Sequence, residues 1–154
     1  MLPNWLIRFF DAFSRPFEPP APPQPVEPLT PTPAAPVPEL ATAINAARVG
    51  AGLPPLAFDP ALARVSDSWA RSMAGSGTLD HGRFADRVES VYPNTAAGED
   101  IAEGQPTPSD VVAAWLDDPP HRANLLGGFN RLGVGLARAD DGTPYWVADF
   151  VQVD

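Results

Sequence analysis

The chain carries two histidines, His81 and His121, the side chains best suited to moving a proton or ligating a metal near neutral pH. His81 lies in Leu79-Asp80-His81-Gly82-Arg83, and His121 opens His121-Arg122-Ala123-Asn124-Leu125-Leu126 directly after Pro119-Pro120. Both are expected in loops beside helix ends. Between them, Ala97-Gly98-Glu99-Asp100-Ile101-Ala102 puts two carboxylates in a mildly apolar stretch. By donor type, two imidazoles and a carboxylate could hold a divalent cation. They could equally form a general acid/base pair, or serve only as structural hydrogen bonds and surface groups. No pair of these residues has the i, i+4 spacing of a helical metal motif.

Other chemistries are poorly served. There is no cysteine, so a thiolate ligand, a cysteine nucleophile and a disulfide framework are excluded. No Gly-x-Ser-x-Gly elbow occurs, and Ser66, Ser68 and Ser72 read as the solvent face of a helix. Phosphate-loop and dinucleotide fingerprints are absent. Arg83, Arg87 and Arg122 could steer an anionic ligand, although pairing with local acids such as Asp86 and Glu89 is their more ordinary role.

Several elements must position these groups. Leu40, Ala43, Ile44 and Ala47 have the spacing of a first helix closed by Gly50 and Gly52. Asp59-Pro60 caps a second, lined by Leu62, Val65, Trp69 and Met73 and ended by Gly75. Phe84, Val88 and Val91 suggest a short third helix. Thr107-Pro108-Ser109-Asp110 resembles a capping box opening a fourth, with Val111, Val112, Trp115 and Leu116 buried and Pro119-Pro120 as its stop. Leu132, Val134 and Leu136 alternate as in a strand, Asp140-Asp141-Gly142-Thr143 makes a turn, and residues 145–153 return as an antiparallel strand. Gly133 and Gly135 inside the strand pattern predict close backbone packing. Trp69, Trp115 and Trp146 are assigned to the core. Helices first and a hairpin last make the fold class α+β.

The rest of the chain is organised differently. Of its 154 residues, 21 are proline, and residues 18–38 read as a proline-rich extended linker. Residues 1–17 form an amphipathic aromatic arm, with Leu2, Leu6, Phe9, Phe10, Phe13 and Phe17 on one helical face. A protein partner is the first expectation for this arm, a membrane interface the second and a noncanonical export signal the third. No clear signal peptide and no transmembrane span is read. Residues 39–154 have globular composition and are long enough for one core. The net charge of −9 argues against nucleic acid as a partner.

Taken in order, Asn45-Ala46-Ala47-Arg48, Gly52-Leu53-Pro54-Pro55-Leu56, Asp59 and Leu62 resemble the opening of a bacterial CAP-superfamily domain. This is the family of the cysteine-rich secretory proteins, antigen 5 and pathogenesis-related 1, also called SCP. His81, Gly98-Glu99-Asp100-Ile101-Ala102, Val111-Val112 with Trp115, Pro120-His121-Arg122 with Asn124-Leu125-Leu126, Phe129, Gly133-Val134-Gly135 and Tyr145-Trp146 continue the resemblance. It implies an α-β-α sandwich, a small antiparallel sheet held between helices. It also implies a cavity lined by His81, Glu99 and His121, with Asp118 at the position of a second acid. The family's Gly-Glu-Asn is Gly-Glu-Asp here, and the added charge of Asp100 beside Glu99 should raise the pKa of one carboxylate if both are buried.

Function is expected at the level of a binding or interaction module, displayed extracellularly or on an envelope or virion surface and attached through residues 1–17. Its cavity would take a divalent metal such as zinc, a small molecule or a lipid. The alternative is a metal-assisted hydrolase of peptide or cell-wall material that uses His81, His121 and Glu99, with water as the attacker. Whether the chain is an enzyme is left open by its residues.

Overall fold

Leu40 and Ile44, one helical turn apart and both fully buried, anchor the first helix of the domain. The computed structural model describes residues 36–93 and 95–154. The arm of residues 1–17 and most of the linker lie outside the described residues. Helix α1 spans Pro36–Gly50, so its first turn uses residues assigned above to the end of the linker. Proline is tolerated there because the first-turn N–H groups have no intrahelical partner.

Helix α2 (Pro60–Ser76) begins as its sequence indicates. Asp59 accepts from the N–H groups of Ala61 and Leu62, each at 2.9 Å, with Pro60 in the first turn. It passes through Gly75 and ends on Gly77, whose φ of 64° closes a left-handed cap onto the Met73 carbonyl. Helix α3 covers Phe84–Glu89 and α4 covers Pro108–Asp117. Thr107 caps α4 by accepting from Asp110 N–H. The Pro119-Pro120 pair stops α4 but also opens another helix, α5 (Pro119–Leu125). His121 therefore stands in the first turn of a helix rather than in a loop.

Four strands form one sheet in the order β1-β3-β4-β2. They are β1 (Ala57–Phe58), β2 (Ala96–Glu103), β3 (Arg131–Arg138) and β4 (Pro144–Gln152). Strands β3 and β4 make the expected antiparallel hairpin, with Val134 opposite Ala148. Gly142, at φ 88°, serves the turn between them. Strand β1 runs parallel to β3. Strand β2 pairs antiparallel with β4, with Glu99 opposite Asp149 and Asp100 opposite Ala148.

Helices α2 and α3 cover one face of the sheet and α1, α4 and α5 the other, giving the α-β-α sandwich. On the first face Met73, Ile101, Tyr145 and Val147 pack together. On the second Leu40, Ile44, Trp115, Trp146 and Phe150 form the larger core. Gly133 and Gly135 pack as expected: a Cβ would sit 2.5 Å from the Leu62 carbonyl carbon and 2.4 Å from that of Ser66. Their absent side chains let α2 lie directly on β3.

Strand β2 is not predicted as a strand, because Ala, Gly, Glu and Asp are poor strand formers. The tertiary structure supplies what propensity does not. Its edge carbonyls are covered from the second layer, where Trp115 Nε1 donates to Ile101 at 3.1 Å and Asn124 Nδ2 donates to Glu99 at 3.1 Å. These bonds occupy groups that an exposed edge would offer to another chain.

Candidate functional site

Strand β2 presents Glu99 and Asp100 to opposite faces of the sheet, because successive strand side chains alternate. Glu99 faces α2 and α3. Its Oε1 lies 2.8 Å from His81 Nδ1 and its Oε2 accepts from Arg87 at 2.5 Å. The Glu99 side chain is 1% exposed, whereas that of His81 is 52% exposed. A buried carboxylate thus holds one edge of an imidazole whose other edge is open. In the neutral ring, with Glu99 ionised, Nδ1 carries the hydrogen and Nε2 is left as an acceptor.

The loop that carries His81 is tightly clamped. Asp80 Oδ1 accepts from Gly82 N–H at 2.8 Å, and Trp69 Nε1 donates to the Asp80 carbonyl at 2.8 Å. Gly82 has φ 52°, and a Cβ there would lie 2.5 Å from the Trp69 ring. Arg87 donates to the His81 carbonyl at 2.8 Å and stacks 4.0 Å over Trp69. Arg83 pairs with Asp86, as a local arginine was expected to. Arg87 does not pair locally; it crosses to Glu99.

Beneath this pair lies Asp149, fully buried on β4 directly opposite Glu99. Ser66 donates to its Oδ2 at 2.7 Å, while Oδ1 has no partner among the described residues. Burial pushes the Asp149 carboxyl well above the usual carboxylate range, and the negative charge of Glu99 adds to this. Burial also raises Glu99, although the charge and the hydrogen bond of Arg87 oppose it. Two facing carboxylates cannot both ionise cheaply in a dry site, which accounts for both directions. Ser66, expected on the solvent face, is fully buried and belongs to this cluster. Asp149 was not singled out from the sequence. Its signal was available, as the one charged residue within Tyr145-Trp146-Val147-Ala148-Asp149-Phe150-Val151.

The second face holds a separate group. Asp100 is fully buried and accepts from Asn124 Nδ2 at 2.9 Å, while its Oδ2 has no partner among the described residues. Its pKa is pushed up to about 7, first by burial and then by the charges of Asp118, Glu99 and Asp149. The rise expected for one of two adjacent buried carboxylates is therefore present, with desolvation rather than the neighbouring charge as its main cause. Asp118, just before α5, pairs with His121 Nδ1 one turn on.

The structure thus joins His81 to Glu99 and His121 to Asp118. Among the described residues no three His, Asp or Glu side chains gather as a metal-holding group. Both Glu99 oxygens are engaged, by His81 and Arg87, so Glu99 orients a histidine in this arrangement.

The model of the Cysteine-rich secretory protein family, CAP, matches residues 41–150. The uncharacterized protein YkwD of Bacillus subtilis (strain 168) is 33% identical over 114 residues, which are 70% of this chain and 43% of that protein. The uncharacterized membrane protein YlbC of the same organism is 30% identical over 115 residues, 70% of this chain and 32% of that protein. The chain therefore spans less than half the length of these relatives. Among solved structures, an outer surface protein of Borrelia burgdorferi superposes with a TM-score of 0.69 at 23% identity, over 75% of this chain and 91% of that one. An extracellular protein containing a SCP domain from Bacillus anthracis superposes with a TM-score of 0.67 at 27% identity, over 76% of this chain and 40% of that one. Among the described residues no helix is long and apolar enough to cross a membrane. The α-β-α sandwich, the ordered motifs from Asn45 to Trp146 and the match over residues 41–150 place this chain in the CAP family of cysteine-rich secretory proteins.

Proposed function

We propose that the CAP domain of this chain is an extracellular binding module whose recognition group is the open edge of His81. The observation that carries this reading is the 2.8 Å contact of His81 Nδ1 with a buried Glu99 that Arg87 holds in place. Such a clamp fixes both the tautomer and the direction of the ring, leaving Nε2 as a preorganised acceptor for a donor on a ligand. The extracellular setting rests on relatives such as the SCP-domain protein of Bacillus anthracis. Attachment through residues 1–17 to a protein partner on an envelope or particle belongs to the same proposal.

The hydrolase reading draws on one feature, the histidine–carboxylate pair, which is half of a general-base site. No hydroxyl group hydrogen-bonds His81 among the described residues, and Ser66 is committed to Asp149. Water would have to be the attacking group.

Two measurements on the full chain test the proposal. Protease treatment of intact cells or particles of the native source should remove the domain, and protection of the domain would overturn the extracellular setting. Labelled casein and peptidoglycan should show no turnover by the wild-type chain beyond that of His81→Ala. Turnover lost in that variant would replace the binding reading with the hydrolytic one.

A further inference from the structure

The chain has a net charge of −9, yet one groove of the domain has the opposite character. Between α2 and α3 lies a cleft of about 580 Å³, with Arg64, Arg87, Ser68 and Ser90 on its walls beside Val65 and Val91. Among the described residues no acid lines it. Three other clefts of the domain each include an acid, namely Glu89, Glu39 or Asp140. Arg64 is exposed and forms no ion pair among the described residues. Arg87 spends its two terminal nitrogens on Glu99 and the His81 carbonyl, but its buried Nε has no hydrogen-bond partner among the described residues.

We propose that the α2–α3 groove binds a small anion, a phosphate or carboxylate carried on a compact apolar group. The charged oxygens would meet Arg64 and the Ser68 hydroxyl beside the Arg87 side chain, and the apolar part would rest on Val65 and Val91. Arg64, without an ion pair among the described residues and without a competing wall acid, favours an anion. The aliphatic walls favour an organic anion over a bare inorganic one, because burying apolar surface adds to the ionic contact. The site is distinct from the open edge of His81 and does not rest on its proposed role. Arg87 connects the two, since it lines the groove and its guanidinium holds Glu99.

The test is a titration of the isotopically labelled full chain, followed by amide NMR, with phenyl phosphate, benzoate and the neutral analogue phenol. Phenyl phosphate or benzoate should produce saturable shifts in α2 and α3, and phenol should not. Arg64→Ala should weaken the binding by about tenfold, the usual worth of one charge-assisted contact. Arg64 is exposed, so this change should leave the fold intact. Response to phenyl phosphate alone assigns the site to phosphates, response to benzoate alone to carboxylates, and response to both to either anion. Absence of saturable shifts with both anions overturns the proposal. So does equal binding by the wild-type and Arg64→Ala chains, or a phenol response matching that of the anions.

Discussion

Asp100→Asn should make this domain more stable at neutral and alkaline pH, although it deletes a charged side chain from the core. Folded Asp100 holds its proton up to about pH 7, against an ordinary carboxyl value of 3.8. Between those two values the folded state binds more protons than the unfolded state, so stability from this group falls as pH rises. It is fully present below the unfolded value and is lost as pH climbs through the folded one. The gap corresponds to about 4 kcal/mol once both states are ionised. Asparagine keeps the acceptor for Asn124, resembles the protonated acid in shape and has no proton to lose. The stability difference between Asp100→Asn and wild type should therefore grow by up to about 4 kcal/mol between about pH 4 and about pH 8. Urea unfolding of both chains at several pH values measures this directly. Parallel stability curves across that range would refute the reasoning, because they would mean that Asp100 titrates alike in both states.

Two further outcomes follow from close contacts. Gly135→Ala should cost about 3 kcal/mol in urea unfolding, since its Cβ would press on the backbone of Ser66 and Asp67 at 2.4–2.5 Å. Gly128→Ala, whose Cβ meets nothing within 4 Å, is the control and should stay within about 0.5 kcal/mol of wild type. Arg48→Met should lower stability by about 3 kcal/mol in the same assay, because the fully buried Arg48 donates to the carbonyls of Pro54, Leu125 and Gly127. A loss under about 1 kcal/mol would show that these carbonyls find other partners.

The local chemistry of the elements was legible because it is short-range. Asp59-Pro60 and Thr107-Pro108 start their helices through bonds to N–H groups two or three residues away. The hairpin of β3 and β4 joins neighbouring segments across a tight turn. Where a second local signal competed, the reading slipped. Pro119-Pro120 suits a helix start as well as a stop, and Gly75 gave way to Gly77, which reaches the left-handed cap. Strand β2 was not legible, since its stability comes from Trp115, Asn124 and β4 rather than from its own Ala-Gly-Glu-Asp composition.

For the site, the residue types in the sequence determined which groups could act: two imidazoles, Glu99 and Asp100, with no thiol to compete. Which group meets which was decided only by the tertiary structure. Strand pairing sets Asp149 opposite Glu99, 50 residues apart in the chain, and the packing of α2 on glycine positions of β3 brings buried Ser66 to Asp149. Strand alternation then sends Glu99 and Asp100 to opposite faces, which puts His81 with one acid and leaves His121 with Asp118. A sequence states donors and acceptors one residue at a time. Burial, shared protons and the choice among partners are properties of the packed sheet and helices, because they depend on what excludes water around each group.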